Sequence, residues 1–186
     1  MSGASELSTT LDAAGAPLGL RRRDDLDEPG WTFWELRTLN RHRVVGLLHT
    51  VRAAAEPGDL GREIGEVIGG HFHRAWWRGL ACGVAVEVAS VAWSPADLAS
   101  LVDIREQRRA ILQWVVLAST EDRRAIGVHT WEEIFLSPIY REALRALSAA
   151  GYEVATAVKG KDGLMRFLTG VSKLEGVAFP EFHDRP

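Results

Sequence analysis

The chain holds a single cysteine, Cys82, only the lysines Lys159, Lys161 and Lys173 among its 22 basic residues, and no long hydrophobic run. Each scarcity excludes something. One cysteine cannot close an internal disulfide, and it suits a reducing compartment. Cys82 lies in the apolar stretch LACGVAV with no histidine beside it, so it reads as a packed side chain rather than a nucleophile. The most apolar window, LACGVAVEVASVAW, is interrupted by Glu87 and is too short to span a bilayer as a helix. The first residues lack a charged segment followed by an apolar one, so no signal peptide is expected and the cytoplasm is the default location.

Charge of one sign is also scarce. A formal net charge of -3 supplies no global attraction to nucleic acid or to an anionic membrane. The familiar catalytic signatures are missing as well. There is no GxSxG elbow, no HExxH or CxxC pair and no GxxxxGK[ST] loop, so no motif names a cofactor. What remains is ordinary for a folded domain: 46% hydrophobic residues, 25% charged and 8% aromatic over 186 residues, enough for one core without staples.

Residues 1–30 mix Ser, Gly, Ala and Pro with a charge run that changes sign after Arg21, Arg22 and Arg23, and they read as a flexible N-terminal arm before a single domain at 31–186. In residues 31–55 the apolar positions Leu36, Leu39, Val44, Leu47, Leu48 and Val51 recur at helical spacing, which predicts an amphipathic helix ended by Pro57 and Gly58. A second helix is expected over LGREIGEVIGG, residues 60–70. The stretch from Leu80 is apolar on both alternating sets of positions, as a central strand is. Ser94, Pro95 and Asp97 then open a helix. AILQWVVLAS and AIGVHTW, separated by the polar TEDRR, predict an antiparallel strand pair. LSPIYREALRALSAAG is a helix started by proline and stopped by Gly151. YEVATAVKG is the next strand, KDGLMRFLTGVSKLEG a further helix, and VAFPEF an edge segment.

Residues 78–158 therefore run strand, helix, strand, strand, helix, strand. That order is the split βαβ, or ferredoxin-like, α+β core, here with two N-terminal helices and an extra C-terminal helix. Such a sheet has helices on one face only. The other face would be covered by the N-terminal helices or by a second copy in a homodimer, a reading encouraged by seven tryptophans.

Three places are candidates for chemistry. In GHFHRAWWRG, residues 70–79, an extended chain would point His71 and His73 to one face as metal ligands. The third ligand would be His129, with Glu87, His42 and His49 as alternatives. In a helix the two would diverge. The same stretch offers Arg74, Trp76, Trp77 and Arg78 for a planar or anionic ligand, although large aromatics are mostly used for packing. In VKGKDG, Gly160 would let the backbone approach an anion while Lys159 and Lys161 add charge. The third place, STEDRR with Arg105, Arg108 and Arg109, carries Glu106, Glu121 and Asp122 among its arginines and reads as a solvated surface. Glu87, a lone acid on an apolar strand, either has a shifted pKa and a role or pairs with a neighbouring cation.

The expectation is thus a cytoplasmic small-ligand-binding or regulatory module, with a small anionic or aromatic ligand and no membrane. The alternatives are a metal-dependent enzyme around His71 and His73, and a nucleic-acid module using Arg74, Trp76, Trp77 and Arg78, which the net charge does not favour.

Overall fold

A computed structural model describes residues 6–49, 57–72, 80–90, 98, 110–130, 136–159 and 165–169. Within them lie α1 (Glu6–Gly15), a short 3-10 turn (Ala16–Leu18), β1 (Arg21–Arg22), β2 (Trp31–Arg37), β3 (His42–His49), α2 (Pro57–His71), β4 (Leu80–Val88), β5 (Ala110–Ser119), β6 (Arg124–Thr130), α3 (Ser137–Ala149), β7 (Glu153–Lys159) and β8 (Met165–Thr169). The strands form one eight-stranded sheet whose spatial order is the chain order. The pairs β3–β4, β4–β5 and β6–β7 are parallel and the other neighbours antiparallel.

The mixed α and β composition matches the sequence reading, and its layout does not. The described strands and α3 over 80–159 stand in the expected chain order, with Leu98 helical and the rest of the helix expected from Ser94 outside the described residues, but the strands lie side by side in a larger sheet, whereas the ferredoxin-like split βαβ interleaves its halves. The sheet reverses direction at the β5–β6 hairpin. A right-handed crossover before that point and one after it must fall on opposite faces. Accordingly α2 and helical Leu98 pack on one face with Phe33, Val84 and Leu117, while α3 packs on the other with Trp34, Val45 and Trp114. Among the described residues helices pack on both faces of the sheet, so the wholly free face that motivated a homodimer is not seen there.

Three local expectations are also corrected. Residues 31–49, expected as a helix, are the hairpin β2–β3, with Glu35 opposite Val44 and Leu36 opposite Arg43. The apolar spacing fits both periods. Aromatic and β-branched residues flanking a turn, where Thr38 N–H donates to the Arg41 carbonyl at 2.8 Å, decide for strands. Residues 6–22, expected within an arm, carry α1 and β1, and Leu7, Leu11 and Leu20 are buried beside α3. The indole N–H of Trp34 donates to Asp12 at 2.5 Å, tying β2 to α1. Residues 165–169, expected as part of a helix, form β8 against β7; the rest of that expected helix, and VAFPEF, lie outside the described residues.

Other elements follow their sequence signals. α2 buries Leu60, Ile64 and Ile68 at helical spacing, each contributing roughly 1.5–3 kcal/mol against full exposure. α3 has Pro138 in its first turn, and its end is closed by Gly151 at a left-handed φ of 85°, with the Tyr152 N–H on the Leu147 carbonyl at 3.0 Å.

The tightest constraint is between β4 and β5. The Trp114 ring lies on Gly83, so a Cβ there would fall 2.0 Å from it. Gly83→Ala is expected to destabilise the fold by about 2 kcal/mol or more, measured as a lowered urea midpoint at unchanged slope. An unchanged midpoint would show that Trp114 does not occupy this place.

Candidate ligand site at one end of the sheet

The strand directions bring the starts of β3, β4 and β5 to the same end as the finishes of β6 and β7, since His42 pairs Leu80, Leu80 pairs Ala110, and Thr130 pairs Lys159. Here the segment containing His73, Arg74, Trp76, Trp77 and Arg78 enters β4, and the segment containing Gly160 and Lys161 leaves β7. Those seven residues lie outside the described ones. Lys159 is the last residue of β7, and His129 the penultimate residue of β6.

On the α1–α3 face of this end is a cavity of about 80 Å³ lined by Leu18, Leu20, Leu36, Arg41, Arg43 and Leu136. The hairpin β2–β3 supplies Leu36 and both arginines, the turn after α1 supplies Leu18 and Leu20, and Leu136 immediately precedes α3. Arg43 Nη1 donates to the His42 carbonyl at 3.0 Å. Burial, and then the positive charge of Arg41, lower the pKa of Arg43, with Cys82 opposing. Both leading causes penalise its cation, and a bound anion would relieve them. Nearby Cys82 is buried, and burial raises its thiol to about 12, which keeps it protonated and unreactive.

The opposite face at this end is held by histidine–carboxylate pairs. His42 Nε2 is 2.7 Å from Glu35 Oε1, and Arg23 reaches the other Glu35 oxygen. Arg23 also grips Asp25 through two bonds of 2.7 and 2.8 Å, and this hydrogen bonding holds the Asp25 carboxyl down to about 2. His71, the last residue of α2, has Nε2 at 2.8 Å from Glu28 Oε2 and its ring beside Phe33 and Phe72. Together these pairs tie residues 23–28 to the α2 face.

The metal set is not assembled by the residues that can be described. His71 packs on the α2 face, whereas His129, 5.2 Å from the Tyr140 ring, packs on the α3 face. The sheet stands between them. Glu87 is bound to His49 at 2.7 Å at the far end of β3 and β4. Among the described residues no group of three His, Cys, Asp or Glu is placed to hold a metal ion.

A helix over 31–55 gives no reason to single out Arg41 and Arg43, whereas the β2–β3 hairpin sets both beside Leu36. The turn-forming TLN flanked by Arg37 and Arg41 was the available signal. Comparison of the chain with protein-family models, with curated proteins and with solved structures finds no match in any of the three.

His129 generates a pH dependence. It is fully buried, its Nδ1–H donates to the Thr130 carbonyl at 2.9 Å, and burial pushes its imidazole down to about 4, with Arg141 assisting. The unfolded histidine titrates near 6.5, so between those values the unfolded chain binds the extra proton. The His129 contribution is therefore complete above about pH 6.5 and is lost as pH falls toward 4, roughly 3 kcal/mol in all. Urea unfolding across that window should show a slope that His129→Gln flattens, whatever the substitution costs at neutral pH; parallel profiles for the two proteins would contradict the assignment.

A second outcome concerns Glu35. Its side chain is 9% exposed and serves both His42 and Arg23. Glu35→Ala leaves two buried or half-buried donors without their acceptor, which should cost about 3 kcal/mol. Guanidinium unfolding of the two proteins checks it, and a loss below 1 kcal/mol would mean that water replaces the carboxylate.

Proposed function

We propose that this protein is a small-ligand-binding module whose ligand carries an anionic group, received between Arg41 and Arg43. The observation that carries the reading is the composition of the 80 Å³ cavity, whose described lining residues are four leucines and two arginines, with no acid among them. Apolar walls with a few convergent polar groups are the usual make-up of a small-molecule site. Guanidinium groups bind carboxylate or phosphate through paired charge-assisted bonds.

The reading remains cytoplasmic, on the ground of the single buried thiol. A homodimer would have to form at the sheet edges or on the helices, since both faces of the sheet are occupied. We rank a metal-dependent enzyme at His71 and His73 below this reading, because His71 is already hydrogen-bonded to Glu28 and is separated from His129 by the sheet. Nucleic acid ranks lower still at a net charge of -3.

Calorimetric titration with acetate, benzoate and inorganic phosphate tests it. At least one of these anions should bind, and Arg43→Gln should weaken it tenfold or more, the scale of one lost charge-assisted hydrogen bond. Binding unaffected by the substitution in a protein of unchanged circular dichroism, or no binding of any of them, would overturn the reading.

A further inference from the structure

We infer that the ligand is an amphipathic alkyl carboxylate, with its head between Arg41 and Arg43 and its chain in the groove between α1 and α3. This inference rests on the anion reading of the inner cavity and adds the class of molecule attached to the anion. A groove of about 510 Å³ runs between α1, the 3-10 turn and the start of α3, with Ala13, Ala14, Pro17, Leu18 and Pro138 among its walls. Leu18 lines both this groove and the inner cavity. On the other side Leu136 lines the inner cavity, and Pro138, two residues on, lines the groove. The two spaces thus share one wall residue and have adjoining residues on the facing wall.

The chemistry changes from one space to the other in the sense an amphipathic anion needs. The inner end holds the arginines. The outer stretch is mainly small and apolar, with Thr9, Thr10 and Glu142 also on its walls: Ala13 and Ala14 leave a trough along α1, and Pro17 and Pro138 bring ring carbons without backbone N–H groups. The Thr10 hydroxyl is taken up by the Glu6 carbonyl at 2.9 Å. The acid at the rim, Glu142, is ion-paired with Arg145, so it offers little repulsion to a passing carboxylate. A helix or strand of a partner protein would fit the outer trough but could not extend into an inner space of about 80 Å³ among Leu20, Leu36 and Leu136. A single alkyl chain ending in a carboxylate can.

The experiment is a titration of the full chain with acetate, hexanoate and decanoate below micellar concentration, and with decanol as the uncharged control. Each methylene buried should tighten binding by up to about fourfold, so decanoate should bind at least tenfold tighter than acetate. Decanoate should also bind at least tenfold tighter than decanol. Ala13→Phe, at an exposed position of α1, should block the trough and erase the gain in affinity from acetate to decanoate. Equal affinity for acetate and decanoate would overturn this inference and leave the anion site standing. Failure of all the carboxylates would overturn this inference, and failure of inorganic phosphate as well would overturn both. Decanol binding as tightly as decanoate would overturn the alkyl carboxylate assignment.

Discussion

β4 has no face that water can wet. From Leu80 to Val86 each of its residues is buried, so the strand is stable only between two covered faces. The Gly83–Trp114 contact sits at its centre. It is backed by β3, where Val44, Val45, Leu47 and Leu48 are equally buried. The need to cover both faces organises the molecule. α2 and Leu98 meet one side, and α1 with α3 the other.

The reversal of strand direction at the β5–β6 hairpin supplies the second half of the design. It sends the crossover through α3 to the face that the β3–α2–β4 crossover leaves bare. α3 alone does not cover that face over β2 and β3, and α1 fills the remainder with Leu7, Leu11 and the Asp12–Trp34 hydrogen bond. Where α1 turns into β1, Leu18 and Leu20 meet the arginines of the β2–β3 hairpin, and the inner cavity is what is left between them. The candidate site is therefore a by-product of how the second face is closed. The candidate site and the fold share the same N-terminal segment.

This explains which features were legible in the sequence. β4, the β5–β6 pair, α2 and α3 could be read directly because each has one dominant signal: continuous burial, a polar turn between apolar runs, or a proline start with a glycine stop. The β2–β3 hairpin could not be separated from a helix by period, since Leu36, Val44 and Leu47 satisfy both. α1 is only ten residues long with two buried leucines, and it owes its stability to packing on Trp34 and α3 rather than to its own sequence. Strand order is set by non-local pairing, which no local pattern encodes. The site followed the same division. Arg74 and Trp76, singled out from the sequence, lie outside the described residues, and Arg41 and Arg43 carried no sequence signal of their own, since their proximity to Leu18 and Leu136 exists only once α1 is in place.

The central claim is that α1 is a fixed wall of the second face, not an arm. Native-state hydrogen exchange resolved to single amides tests it most directly. The account expects the amides from Leu11 to Gly15 to be protected by orders of magnitude relative to an unfolded chain, exchanging with α3. Exchange of these amides at the unfolded rate, while β4 stays protected, would contradict it: residues 1–30 would then be an arm, and the cavity at Arg43 would have lost the wall that defines it.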